Sequence, residues 1–97
     1  MSVCEAEYKV AGGKMIRIRL NVKEGALSSI RITGDFFMHP EEALEKLESS
    51  LRGVKVEEAE GLERHIDAFL SENHVTVLGA ASRDFAAAIL KALRTPA

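Results

Sequence analysis

The sequence predicts an α+β fold in which a three-stranded antiparallel meander is followed by about three helices packed on one face of the sheet. Hydrophobic and polar residues alternate over the first third of the chain, as they do in strands that are buried on one side. Hydrophobic residues then recur at intervals of three and four, which is the spacing of an amphipathic helix. The 97 residues are enough for one domain, which we take to span 1–97.

Three stretches show the alternation of a strand, at residues 4–10, 16–22 and 29–33. In all three the even-numbered positions are apolar and most of the odd-numbered positions are charged or polar. Glycine-containing turns at 11–13 and 23–25 separate them, as in β-hairpins. The strands therefore form a meander with one apolar face, which the rest of the chain has to cover.

The first helix is predicted to begin at Pro40, because proline suits the first helical position, where its missing N–H has no partner to lose. Gly53 then ends the helix, since glycine readily adopts the positive φ of a helix C-terminus. Glu48 is spaced to form an ion pair with Arg52, one turn later. The apolar stripe of this helix consists of Leu44, Leu47 and Leu51.

Two further helices are predicted, the first over residues 60–72 and closed by Asn73. A short extended segment at 75–78 leads to Ser82, which is a suitable N-cap for the last helix, and Thr95-Pro96 stops that helix. The two apolar faces consist of Leu62, Ile66, Phe69 and Leu70, and of Phe85, Ala86, Ile89, Leu90 and Leu93.

The composition, 46% hydrophobic and 29% charged, is typical of a globular domain. The net charge of −2 is unevenly distributed, with a balance of +3 over residues 1–34 and −7 over residues 35–82. This asymmetry predicts two surfaces of opposite potential, although ordinary solvated helix faces explain it equally well. The chain has one cysteine, no signal-peptide pattern and no apolar run of membrane-spanning length, so we expect a cytoplasmic location.

No catalytic residue and no metal site is predicted. The three histidines are scattered, without other ligands at the spacing of a metal site. Gly12-Gly13-Lys14 looks like a phosphate-binding loop only superficially, because it joins two strands and does not precede a helix N-terminus. We interpret it as a hairpin turn that carries Lys14 at its tip. Such a chain is expected to assist an enzyme and not to be catalytic alone.

The segment Gly34-Asp35-Phe36-Phe37 stands at the exit of the third strand and holds two of the four phenylalanines. Neighbouring side chains on an extended backbone point to opposite sides, so the two rings cannot easily share one core. One interpretation is a sharp turn in which both rings fill the junction between the sheet and the following helix. The other is that the acid and at least one ring face another protein, since aromatic side chains are favoured as interface anchors.

Two other functions fit parts of the sequence. Cys4 is a candidate reactive thiol, which would suit a small sulfur-handling or iron–sulfur assembly protein. A basic sheet face can bind RNA phosphates, but no aromatic residue alternates into this one for base stacking, and the net charge is negative. The basic residues of that face are Lys9, Arg17, Arg19 and Arg31.

The sequence resembles the small accessory domain of lipoate–protein ligases over nearly the whole chain, most specifically over Tyr8–Gly53. The residues that carry the resemblance are YKVAGGKMIRIRLNV, IRITGDFF and LEKLESSLRG, together with an acidic-glycine turn and a proline-started helix. In many bacteria this domain is the C-terminal part of one ligase chain, and in some archaea and bacteria it is a separate protein. The chain begins with its own methionine and lacks the large domain, so we expect the separate form.

The resemblance implies a non-catalytic accessory subunit that forms a heterodimer with the catalytic subunit of a lipoate–protein ligase. Such a ligase uses ATP to activate lipoate as lipoyl-AMP and then transfers the lipoyl group to a lysine of a lipoyl carrier domain. The accessory domain is associated with the activation step. ATP, magnesium and lipoate are expected on the catalytic subunit and no cofactor on this chain, and neither nucleic acid nor a membrane is an expected partner.

The resemblance also gives the candidate contact residues a partner. Gly34, Asp35, Phe36 and Phe37 are predicted to contact the catalytic subunit. Lys14 is a second candidate, for a contact with that subunit or with its nucleotide, because it extends from a hairpin tip. A solvated turn lysine is an equally good interpretation of Lys14.

Overall fold

The predicted α+β architecture is confirmed in a computed structural model, which describes residues 2–95. Three long strands form one antiparallel sheet in the order β1-β2-β3, and a second sheet has two short strands, β4 and β5. In chain order the elements are β1 (Ser2–Lys9), β2 (Met15–Lys23), β3 (Ala26–Gly34), β4 (Phe37–His39), α1 (Ala43–Leu51), a 3₁₀ helix (Val56–Gly61), α2 (Leu62–Glu72), β5 (Thr76–Leu78) and α3 (Ser82–Leu93).

The three-stranded sheet follows the alternation of the sequence. Ile18 in the central strand pairs with Ala6 on one side and with Ile32 on the other, so the even-numbered apolar residues share one face. Both hairpin turns use glycines with positive φ, 93° at Gly12 and 77° at Gly25, which other residues rarely adopt. The buried residues of this face include Cys4, Ile16, Ile18, Leu20, Ile30 and Ile32.

The helices cover that apolar face. Helix α3 lies against β1 and β2, α1 lies against β3, and α2 packs on α3. The predicted apolar stripes point into the shared core, where the side chains of Leu47, Leu51, Leu62, Ile66, Phe85 and Ile89 are fully buried. The core therefore has two layers, with α2 held at the periphery by its contact with α3.

The outer edge of β3 is closed by α1 and the segment that follows it. Glu48 Oε2 accepts a hydrogen bond from the backbone N–H of Ile32 at 2.7 Å, and the N–H of Leu27 donates to the carbonyl of Val54 at 2.9 Å. The predicted pairing of Glu48 with Arg52 is wrong, because the Glu48 carboxylate satisfies the strand edge instead. An unpaired edge would otherwise offer its backbone groups to another chain.

Two helix starts differ from the prediction. Pro40 is not the first residue of α1: its carbonyl accepts from the N–H of Ala43 at 3.0 Å, which makes residues 40–43 a turn that precedes the helix. Ser82 is not an N-cap but the first helical residue, and its hydroxyl donates to Asp67 Oδ1 on α2 at 3.1 Å. At this helix start the Asp84 carboxylate accepts a hydrogen bond from the backbone N–H of residue 81 at 2.8 Å, as in one half of a capping box.

The middle of the chain is more divided than predicted. The helix expected over 60–72 is an α-helix only from Leu62, and the residues before it form a 3₁₀ helix that ends at Gly61. Asn73 closes α2 as predicted, with its side-chain amide donating to the carbonyl of Phe69 at 2.9 Å. Of the predicted Thr95-Pro96 stop, Thr95 follows α3 directly, and Pro96 lies outside the described residues. No helix in residues 2–95 is long and apolar enough to cross a membrane.

Replacing Glu48 tests the closed edge of β3. We expect Glu48→Ala to lower the free energy of unfolding by about 1–2 kcal/mol, because it leaves the half-buried Ile32 N–H without its acceptor. Glu45→Ala, which removes an exposed carboxylate from the same helix, is the control and should change stability by less than about 0.5 kcal/mol. Urea unfolding followed by circular dichroism measures both, and equal effects would contradict the assignment.

Candidate functional site

The exit from β3 is fixed by a close backbone approach at Gly34. A Cβ atom built on this residue would lie 2.2 Å from the carbonyl oxygen of Met15 and 3.0 Å from the Cα of Ile16. The next N–H, that of Asp35, donates to the same Met15 oxygen at 2.9 Å. With φ at +156° as well, only glycine fits here, so Gly34 sets the direction in which the chain leaves the sheet.

The two phenylalanines that follow point in opposite directions. The Phe36 ring is half-buried and meets the ring of Phe85, on α3, edge to face with a centroid distance of 5.0 Å. Phe37 is 76% exposed, and the next residue, Met38, is buried again. This is the alternation of an extended backbone, and it assigns one ring to the core of the domain and the other to its surface.

Strand β4 is half of a two-stranded ribbon that the sequence did not predict. It pairs antiparallel with β5, so that Phe37 lies opposite Leu78 and Met38 opposite Val77. Each strand has only three residues, too short for alternation to be recognised, and the two strands are separated by residues 40–75, which include two α-helices and the 3₁₀ helix. Leu78 was expected only to be extended, and nothing in the local sequence indicated its exposure.

Lys14 lies beside the residues at which the chain leaves β3. An open groove beside Phe37 is lined by Gly12, Gly13, Lys14, Gly34, Asp35, Phe36 and Phe37. The structure therefore brings together all five residues singled out from the sequence, at the end of the sheet where the first hairpin and β3 meet. The groove contains one cation and one anion, both exposed.

The uncovered face of the large sheet is less basic than the count of arginines indicates. Arg17 Nε forms an ion pair with Glu7 Oε2 at 2.7 Å, and Arg19 pairs with Glu5. These cross-strand pairs neutralise two of the basic groups on which phosphate binding depended. The ion pairs therefore weaken the argument for RNA as a partner of this face.

The thiol of Cys4 is buried, with only 4% of the residue exposed, on the apolar face of β1. A reactive cysteine has to be reached by its substrate and is usually found in a polar, partly exposed setting. Cys4 packs in the core instead, so the structure gives no support to a sulfur-handling function.

Substitution of Gly34 tests how the site is built. We expect Gly34→Ala to lower the free energy of unfolding by about 3 kcal/mol, because the methyl group meets backbone atoms that have little room to move. Gly61→Ala is the matched control: apart from its chain neighbours and its own helix, no atom lies within 4 Å of its Cβ position, and the change should stay within about 1 kcal/mol. Similar unfolding midpoints for both variants in urea would contradict the close approach.

Comparisons with known proteins agree on one family. Residues 5–89 match the family described as the C-terminus of bacterial lipoate protein ligase. One curated relative, lipoate-protein ligase A subunit 2 of Thermoplasma acidophilum, is 42% identical over 43 residues, which are 44% of this chain and 46% of the relative. The matched segment thus spans about half the length of that relative.

A solved structure extends the likeness to the whole fold. It comes from the structural analysis of an archaeal lipoylation system, a bi-partite lipoate protein ligase and its E2 lipoyl domain from Thermoplasma acidophilum. The two structures superpose with a TM-score of 0.77 at 30% sequence identity, over 92% of this chain and 97% of the other. Because the family match also spans most of the sequence, this chain belongs to the bacterial lipoate protein ligase C-terminal family.

Proposed function

We propose that this chain is the non-catalytic accessory subunit of a two-protein lipoate–protein ligase. The observation that carries the proposal is the structural likeness to a chain from the study of a bi-partite lipoate protein ligase. The likeness extends over 97% of that other chain. A relative called subunit 2 supports the same division of the ligase into two proteins. The partner is accordingly a catalytic subunit, with which this chain forms a heterodimer.

The catalytic subunit holds lipoate, ATP and magnesium in this proposal, and the accessory subunit promotes formation of lipoyl-AMP. A protein without catalytic groups can accelerate a reaction only by binding the competent conformation of its partner more tightly than the others. A difference of about 1.4 kcal/mol between conformations already gives a tenfold shift in their populations.

The residues at the exit from β3 have different parts in the proposed contact with the catalytic subunit. Phe37 is the direct apolar contact because it is the ring that faces solvent, and Phe36 holds it in place through the ring of Phe85. Gly34 directs the chain outwards, and Asp35 offers a charge beside the exposed ring. Lys14 lines the same groove and contacts the catalytic subunit or its bound nucleotide.

The lipoyl carrier domain is a transient partner of the assembled ligase, and the site of action is the cytoplasm. The solved relative was studied together with an E2 lipoyl domain, which is the support for a carrier of this type. The buried Cys4 leaves the sulfur-handling alternative without support. We therefore propose one function only, in the activation of lipoate for protein modification.

Pyrophosphate release tests the accessory role. With the purified catalytic subunit of the same organism, ATP and lipoate, we expect release to rise at least tenfold when this chain is added, since it selects the competent conformation. Full activity of the catalytic subunit alone would contradict the proposal. The assay requires no carrier protein, so it reports on activation separately from lipoyl transfer.

Lys14 is tested in the same assay against a matched lysine. Lys14 lies just before β2, and Lys23 is the last residue of that strand. Because β2 has nine residues in extended conformation, the two lysines are roughly 30 Å apart. We expect Lys14→Ala to lower the stimulation of pyrophosphate release about threefold or more, because a cation at the contact is lost. Lys23→Ala removes the same charge from the far hairpin and should leave stimulation unchanged. Equal behaviour of the two variants would remove Lys14 from the contact.

A further inference from the structure

The outer face of the β4–β5 ribbon is a continuous apolar surface. Phe37 and Leu78 are directly opposite each other in the antiparallel register, and they are 76% and 64% exposed. They are the large hydrophobic residues that residues 2–95 leave exposed. Opposed side chains on one face of an antiparallel pair have Cβ atoms about 4.5–5.5 Å apart, so this ring and this isopropyl group form a single patch.

We infer that this ribbon, through Phe37 and Leu78 together, is the anchor by which the chain docks on the catalytic subunit. The inference rests on the proposed function and extends it to β5, a strand far from the strand exit in sequence. It also defines the chemistry of the partner surface: an apolar socket that receives both side chains, with an anionic group beside it, a carboxylate or the bound nucleotide, to meet Lys14.

The ribbon packs against the domain from beneath, which favours docking. Met38 and Val77, which alternate with the exposed pair, turn towards the core. Gly79 directly follows β5 and lies close to the backbone that leaves β3. A Cβ atom added to Gly79 would be 3.1 Å from the carbonyl oxygen of Asp35. Because these contacts fix the ribbon before binding, little conformational entropy remains to be lost on association.

The groove beside Phe37 places two charged side chains next to the apolar patch. Lys14 and Asp35 line it and are exposed in the free chain. A partner that covers the ring also removes water from these charges, and leaving them unpaired would cost binding energy. The matching surface is therefore expected to place an anionic group near Lys14 and a hydrogen-bond donor near Asp35, around the apolar socket.

The area of the patch argues against a second copy of this chain as the occupant. Two large side chains supply only roughly 300 Å² of apolar surface, whereas a stable interface needs about 800 Å² from each partner. The occupant must also fill the groove, which calls for a larger and differently shaped surface. The family is described as the C-terminus of a ligase, so in those relatives the remainder of the ligase is the available neighbour.

Binding of strand variants to the catalytic subunit of the same organism tests the anchor. Calorimetric titration should show that Leu78→Asp and Phe37→Asp each weaken binding at least tenfold relative to the unaltered chain, as expected for interface anchors. Ser29→Asp adds the same charge at an exposed strand position on the large sheet and should bind as the unaltered chain does. Far-ultraviolet circular dichroism and thermal melting confirm that all three variants are folded.

The outcomes separate the inference from the proposed function. If the unaltered chain binds and stimulates pyrophosphate release while both ribbon variants bind equally well, the ribbon is not the anchor and the accessory role stands. If the unaltered chain neither binds nor stimulates, both fail. If sedimentation shows a dimer of this chain alone that either ribbon variant dissociates, a second copy occupies the patch and the inference is overturned.

Discussion

The backbone contact between β2 and the end of β3 is the constraint on which the candidate site depends. Gly34 passes so close to the carbonyl of Met15 that no side chain fits, and the Asp35 N–H bonds that same oxygen. The chain therefore leaves the sheet in one direction. Since side chains then alternate along the extended backbone, Phe36 must face inwards and Phe37 outwards.

The division of the two rings reconciles stability with binding. A 97-residue chain has a small core, so a ring placed against Phe85 is a substantial part of what holds the strand exit to α3. The other ring contributes nothing to that core and would be a poor choice for a chain that acts alone. Paired with Leu78 above two inward-facing residues, it forms a small apolar surface on the outside of the domain.

The sequence predicted the features that depend on local periodicity and missed those that depend on distant pairing. The meander followed from alternation, and residues 34–37 and Lys14 were singled out separately as candidate contacts, without any expectation that they lie side by side. The β4–β5 ribbon and the exposure of Leu78 were missed, because two three-residue strands give no periodic signal and their pairing depends on residues far apart in the sequence. Glu48 was assigned to Arg52 for a similar reason: helical spacing cannot reveal a neighbouring strand edge.

In the proposed heterodimer, one face of this domain, the Phe37–Leu78 ribbon with its groove, meets the catalytic subunit. Nuclear magnetic resonance cross-saturation from the unlabelled catalytic subunit to the deuterated, ¹⁵N-labelled chain tests it most directly. We expect the strongest saturation transfer at the amides of residues 35–39 and 76–79 and at the hairpin tip that carries Lys14, with little on the open sheet face. Transfer concentrated at Arg17, Arg19 and Arg31, with the ribbon unaffected, would contradict it.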